Sequence, residues 1–170
     1  MENQIAPIKP VAYKYGLYYG LVSIIVLVIM YVGNLDKSWI LTTISVVASV
    51  LILVYGIKEY KLSNSNVLSV GKAIKVGLAI AVIGGIITAI YSYVHYGYIY
   101  PEFIEMQKET AYEQMIEQNP SMTQEQIDQA MNISGMFMSP GFFSIMSVVG
   151  ALFFGLIVSL IAGLIMRSDD

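Results

Sequence analysis

The chain has 170 residues, of which 56% are hydrophobic and only 12% are charged, and its formal net charge is -3. This composition is too apolar for an ordinary soluble domain and indicates a protein that lies in a lipid bilayer, which argues against a nucleic-acid partner. The absence of cysteine excludes disulfides and thiolate metal sites, and one histidine is too few for a zinc or haem site, so no cofactor is expected.

Four predominantly apolar stretches are long enough for a helix to cross about 30 Å of hydrocarbon. They cover approximately residues 15–34, 39–57, 74–96 and 142–166. Lys9 and Lys14 before the first stretch are also typical of a secretory signal peptide, but no small-residue cleavage pattern follows it. We therefore expect an all-α fold, a four-helix transmembrane bundle in which residues 1–170 form one membrane domain and the first span remains as an anchor.

The positive charges are unevenly distributed between the two ends of these spans. Seven of the nine Lys and Arg residues share a side with the N-terminus, whereas Lys37 and Lys108 lie on the other side, with Asp36. The seven are Lys9, Lys14, Lys58, Lys61, Lys72, Lys75 and Arg167. Because basic residues near helix ends are retained in the cytoplasm, we expect a bacterial inner-membrane protein with both termini cytoplasmic.

The aromatic residues indicate the same span ends independently. Twelve of the thirteen tyrosines lie near a predicted helix end, where Tyr and Trp prefer the level of the lipid headgroups. Tyr19 and Tyr60 are among those expected in the inner belt, and Trp39 and Tyr98 among those in the outer belt.

Two spans carry unbroken rows of small residues at four-residue spacing, which is how helices approach closely in lipid. The third span has Ala73, Gly77, Ala81, Gly85 and Ala89, and the fourth has Ser147, Ala151, Gly155, Ser159 and Gly163. We predict that the two rows face each other, although Gly and Ala are also simply common in membrane helices. The first span has a shorter pair, Gly16 and Gly20, and Ile87 and Ile157 are expected to face lipid.

The spans lack ionisable residues at their centres and have no interior proline, which argues against a proton pump or a transporter with broken helices. No nucleotide-binding, nucleophile-elbow or metalloprotease motif is present either, so we expect no enzyme. His95 is the best catalytic candidate, because a helix would place it on one stripe with Tyr91, Tyr98 and Glu102. We favour the simpler interpretation, an interfacial histidine in an aromatic belt.

Residues 101–140 form the one segment that looks soluble, and they predict an extracytoplasmic helical hairpin. Pro101 suits a helix start, and Asn119-Pro120 separates a first helix from a second that Ser121 or Thr123 can cap. The first helix carries Glu105, Glu109, Glu113 and Glu117 in a row opposite Ile104, Ala111 and Met115. Two interpretations of the row stay open: a solvated face, which is the commoner case, or a docking stripe for a basic partner or a divalent cation.

Methionine is also concentrated in and near this segment, with seven of the ten residues. Thioethers bind Cu(I) outside the cytoplasm, and Met136 and Met138 near His95 would be a minimal beginning of such a site. The irregular spacing favours methionine as an adaptable apolar filler instead. No metal site is therefore predicted.

The whole chain resembles an uncharacterised family of small four-helix bacterial membrane proteins, classed as a domain of unknown function and frequent in Bacteroidetes. The resemblance lies in the order of spans and in four local stretches. These are Lys14-Tyr15-Gly16, Tyr55-Gly56-Ile57-Lys58-Glu59-Tyr60, Gly71-Lys72-Ala73 and Tyr100-Pro101-Glu102. It implies an inner-membrane location and no established activity, so it assigns no catalytic residues.

The function that fits best is a nonenzymatic membrane scaffold or accessory subunit acting through the acidic segment. Its partners would be membrane lipid and either another membrane protein or a second copy of the chain. The alternative is a small-molecule or lipid carrier, for example an accessory to polyprenyl-linked sugar transfer. An enzyme built around His95 comes third.

Overall fold

The computed structural model describes residues 6–35 and 38–168, so Asp36 and Lys37 of the orientation prediction lie outside it. These ranges contain six α-helices and a π-helical turn, His95–Ile99, that continues the third helix. The helices are α1 Lys9–Val32, α2 Trp39–Ser63, α3 Val70–Val94, α4 Glu102–Gln118, α5 Gln124–Phe137 and α6 Pro140–Met166. The described residues form no β-strand, only an isolated bridge between Leu68 and Ser168.

Four of the described helices are long and apolar enough to cross a membrane, as in a multi-pass membrane protein. They are α1, α2, α6 and α3 with its π turn, the last covering 30 residues. α1, α2 and α3 with its π turn are longer than the apolar stretches that predicted them, because they continue into basic or aromatic residues, whereas α6 begins only two residues earlier, at Pro140. Long Lys side chains at such ends keep their charge at the interface while the helix backbone remains hydrogen-bonded.

Local sequence sets several helix boundaries. Pro10 lies in the first turn of α1, where its missing N–H costs no hydrogen bond, and the Ser38 hydroxyl accepts from the backbone N–H of Leu41 at the start of α2. Thr123 caps α5 through a capping box with Gln126. Ser65 and Asn66 turn the chain between α2 and α3 in the left-handed region, with φ of 56° and 64°.

The chain divides into two compact units. The first, called here the bundle unit, comprises residues 1–88 and 147–170, and the second, the α4–α5 unit, comprises residues 89–146.

The two rows of small residues lie against each other in the bundle unit. Contacts pair Gly77 with Ser159, Ala81 with Gly155, Gly85 with Ala151 and Ala73 with Gly163. A Cβ added at Gly155 would lie 2.6 Å from the Cβ of Ala81, and one added at Gly77 would overlap Ser159. The backbones of α3 and α6 therefore approach so closely that no larger side chain fits between them.

A different face of α3 packs against α1. A Cβ added at Gly16 or at Gly20 would come within 2.7 Å of Ile83 or Ile87, respectively, while Gly84 leaves room for the ring of Tyr19. The prediction that Ile87 faces lipid is therefore wrong: its side chain fills the space that Gly20 leaves. α3 is continuous through Gly84 and is the most buried of the four long helices described.

The core of the bundle unit also contains aromatic residues that were expected at the headgroup level. Tyr60 is fully buried and Tyr19 nearly so, whereas Tyr13, Tyr55 and Trp39 are exposed. The belt prediction is wrong for Tyr19 and Tyr60, because these two lie on the inward faces of their helices. The Tyr60 hydroxyl has no hydrogen-bond partner among the described residues.

Hydrogen bonds tie together the segments at the basic end of the bundle unit. The Ala6 N–H donates to Asn64 Oδ1 at 2.9 Å, the Ser168 N–H to the Leu68 carbonyl at 3.1 Å, and Lys61 Nζ to the Met166 carbonyl at 2.8 Å. Residues 6–8 before α1, the α2–α3 connection and residues 167–168 after α6 therefore lie at one end. Most of the basic residues of the sequence are found there.

Candidate functional site in the α4–α5 unit

A cluster of aromatic rings forms the base of the α4–α5 unit. The Tyr96 ring stacks on Phe103 of α4 with centroids 4.8 Å apart and contacts Phe143 of α6 at 5.3 Å. Tyr100 lies 5.8 Å from Phe103, just beyond the π turn. Aromatic pairs at these distances add about 0.5–1.5 kcal/mol each beyond the apolar area that they bury. The cluster therefore holds the π turn, α4 and the first turn of α6 together.

His95 is buried in this cluster, with 2% of its surface exposed. Its ring lies 5.4 Å from Tyr91, 5.0 Å from Tyr96 and 6.1 Å from Tyr100. The predicted stripe is wrong beyond Tyr91, because Tyr98 is 74% exposed and Glu102 lies exposed in the first turn of a separate helix. The π turn rotates the residues after His95 relative to an α-helix, which removes Tyr98 from its face.

The acidic row of α4 is exposed along its whole length. Glu105, Glu109, Glu113 and Glu117 are all exposed, while Ile104 on the other side of the helix is 6% exposed. Glu105 forms an ion pair with Lys108 at 2.9 Å. Within the described residues, the other three carboxylates form no ion pair. The row is thus a face of mostly uncompensated negative charge.

Two clefts open on the surface of the α4–α5 unit. The first, called here the acidic cleft, has a volume of about 470 Å³. It is lined by Glu105, Lys108, Glu109 and Tyr112 of α4 and by Asp128 and Met131 of α5. The second, about 330 Å³, has Tyr96, Ile104 and Met138 among its lining residues. Both clefts include Glu105 and Lys108, so this ion pair lies where they meet.

Sequence reasoning found only part of this site. Of the four glutamates, Glu105 and Glu109 line the acidic cleft, whereas Glu113 and Glu117 continue the exposed row towards the Asn119–Thr123 connection. Tyr112 and Asp128 were missed. Their positions in the sequence could have indicated both residues. Tyr112 lies two helical turns before the Asn119–Thr123 connection, and Asp128 lies little more than one turn after it, on the next helix.

The acidic cleft does not form a metal-binding cluster. Among residues 6–35 and 38–168, no three His, Asp or Glu side chains converge in a way that could hold an ion. Lys108 lines the same cleft and, paired with Glu105, places a positive charge there. Met136 is exposed, while Met138 lines the second cleft.

Comparison with known proteins gives the family of the chain. No curated protein and no solved structure matches it. A family profile described as "Protein of unknown function (DUF4199)" matches residues 14–168, which is nearly the whole chain and includes all six helices except the first turns of α1. The chain therefore belongs to the DUF4199 family of proteins of unknown function.

Proposed function

We propose that the protein is a nonenzymatic membrane scaffold or accessory subunit that binds a membrane protein through the acidic face of α4 and α5. The observation that carries this proposal is the exposed row of four glutamates, of which only Glu105 has an ion-pair partner among the described residues. Residues 101–140 contain seven acidic side chains and one basic one, a net charge of -6.

The orientation of the chain supports an extracytoplasmic position for this face. The described residues before α1, between α2 and α3 and after α6 meet at the basic end of the bundle unit, and basic residues favour the cytoplasmic side. With its π turn, α3 covers 30 residues, about 45 Å of helix, which exceeds the thickness of the hydrocarbon core. These observations support our proposal that the segment after α3 is a hairpin of α4 and α5 on the outer side of the bacterial inner membrane.

The negative charge of the acidic face of α4 and α5 indicates which class of partner it binds. Anionic lipid headgroups repel a surface of this sign, and the cleft lacks the cluster of ligands that a cation site requires. A basic surface on a neighbouring protein fits both facts. Exposed ion pairs contribute only about 0.2–1 kcal/mol each, so the row acts mainly by steering and orienting the partner, with strong dependence on salt.

Charge reversal tests the proposal. Glu109→Lys with Glu113→Lys should weaken partner binding at least about tenfold, because two attractive contacts become repulsive. The matched control is Glu102→Lys with Glu125→Lys, which reverses the same number of charges outside the row. Both control residues lie in first helical turns, where acidic groups favour the helix, so the control is the harsher change for folding.

The measurement is carbodiimide crosslinking of carboxylates to amines in isolated membranes, followed by mass spectrometry of the copurified proteins. In the native chain we expect crosslinks from Glu109 or Glu113 to lysines of one stoichiometric partner. Without the crosslinker, that partner should copurify with the control variant and be lost from the row variant. If every partner survives the row variant and also replacement of residues 103–138 by a short Gly/Ser linker, α4 and α5 are only a spacer.

The second candidate, a lipid carrier, has one observation in its favour, an apolar groove between α2 and α6. Copurification of a lipid-linked sugar in stoichiometric amount, with no protein partner, would favour the carrier over the scaffold.

A further inference from the structure

The bundle unit has a groove between α2 and α6 that is lined only by apolar side chains. Its volume is about 340 Å³, and its walls are Val50 and Val54 of α2 and Val158, Ile161, Ala162, Ile165 and Met166 of α6. The α2 residues are four apart and the α6 residues recur at intervals of three and four, so each set forms one face of its helix. The α6 lining runs from Val158 to Met166, roughly 12 Å of helix, and the two α2 residues are roughly 6 Å apart along theirs.

The face of α2 that forms the groove continues into positive charge. Lys58 and Lys61 follow Val54 at spacings of four and seven residues, on the same side of the helix. They line an adjoining pocket of about 400 Å³ with Leu62, Asn66 and Met166. Met166 lines both cavities, so the apolar groove and the pocket of the two lysines are adjacent.

The two lysines are available to different degrees. Lys61 Nζ donates to the Met166 carbonyl at 2.8 Å, which fixes this ammonium group beside the groove and uses one of its three donors. Lys58 is exposed and forms no ion pair with any described residue. The end of the groove therefore holds two positive charges with donors left for an anion.

We propose that the apolar groove and the adjoining pocket of Lys58 and Lys61 together bind an anionic phospholipid such as phosphatidylglycerol. One acyl chain lies between α2 and α6, and the phosphate contacts Lys58 and Lys61. Apolar walls match a hydrocarbon chain but give no preference among lipids, so the lysines supply the selectivity for a negative headgroup.

A second copy of the chain is the competing occupant of the groove, and its counter-charge for the lysines would have to come from an acidic residue at this end. Among the described residues of the bundle unit that residue is Glu59, whose carboxylate already accepts from Lys14 at 2.7 Å and from Tyr15 at 2.9 Å. The proposal is independent of the α4–α5 unit, so either can fail without the other.

The headgroup contact is tested by neutralising one lysine. The purified full-length chain in nonionic detergent is titrated with dioleoyl phosphatidylglycerol or dioleoyl phosphatidylcholine, and bound lipid is counted by native mass spectrometry. Lys58→Gln should lower affinity for phosphatidylglycerol about fivefold and leave phosphatidylcholine unchanged. Lys75→Gln removes the same charge from α3 outside the pocket and should change neither. Equal losses in the two variants would mean that only overall charge attracts the lipid, and would overturn the proposal.

The acyl-chain contact is tested by filling the groove. Ile161→Trp places a large ring in it and should reduce retention of both lipids, whereas Leu160→Trp, one residue away and outside the lining, should not. Equal retention in these two variants would refute the groove as the site of the chain. Glycerol phosphate, which has the headgroup chemistry without acyl chains, should not displace bound phosphatidylglycerol, and displacement at equal concentration would overturn the assignment to a lipid.

Discussion

Replacing Gly155 by Ala is the most direct test of how α3 and α6 pack. The added Cβ would lie 2.6 Å from the Ala81 Cβ and 3.4 Å from the Gly77 carbonyl oxygen. Two carbon atoms make normal contact at about 3.5–4.0 Å, so the helices must separate by roughly 1 Å over this stretch. A gap of that size forfeits a quarter to a half of the dispersion energy of each neighbouring contact. We expect a loss of about 1–3 kcal/mol, and a larger one for Gly155→Leu or Gly85→Leu.

The same helix provides a matched control. Gly150 has no atom within 4 Å of the position where a Cβ would be added. Gly150→Ala should therefore stabilise the helix by up to about 1 kcal/mol, since alanine loses less backbone entropy than glycine. Ile157→Ala on the exposed side of α6 is a second control and should have a small effect.

The assay is unfolding in mixed micelles, with increasing denaturing detergent and helix content measured by circular dichroism. Gly155→Ala and Gly150→Ala are the same substitution on the same helix and should shift the midpoint in opposite directions. Equal midpoints for the two variants would refute the close approach of α3 and α6 at Gly155, and with it the two-row packing of the bundle unit.

Three further predictions concern topology and local structure. The native chain has no cysteine, so Gln118→Cys should react with a membrane-impermeant thiol reagent in intact cells, and Ser63→Cys only after permeabilisation; the reverse pattern would overturn the orientation. Tyr60→Phe should leave stability unchanged or raise it by about 1 kcal/mol, because it removes a buried hydroxyl that has no hydrogen-bond partner among the described residues. A loss of stability above about 1 kcal/mol in the same unfolding assay would reveal a partner for this hydroxyl. Thr123→Ala should destabilise α5 by about 1 kcal/mol through loss of its cap, and the change should be seen as faster amide exchange in Gln124–Phe137. The control Thr110→Ala, in the middle of α4, should not accelerate amide exchange in Gln124–Phe137.

The sequence alone determined the class of this protein and the positions of its long helices. Uncharged apolar stretches of about 20 residues leave a chain in lipid no alternative to helix, because every backbone group must be hydrogen-bonded internally. The rows on α3 and α6 were also visible in the sequence, since four-residue spacing and small size are what close packing requires. The acidic row of α4 and the cap at Thr123 were visible for similar reasons: each depends on residues close together in the chain.

What the tertiary structure decided is how each helix is rotated. In lipid the outward and inward faces are both apolar, so the amphipathic pattern that identifies the buried face of a soluble helix is weak here. This is why Ile87 was expected at the lipid face and Tyr60 in the headgroup belt, although both pack inward. It is also why the groove of Val50 and Val54 could not be recognised: its second wall comes from α6, about a hundred residues further along the chain. The aromatic cluster beside the π turn is a comparable case, because its rings come from three elements, the π turn, α4 and α6, the last of which is far from the other two in the chain.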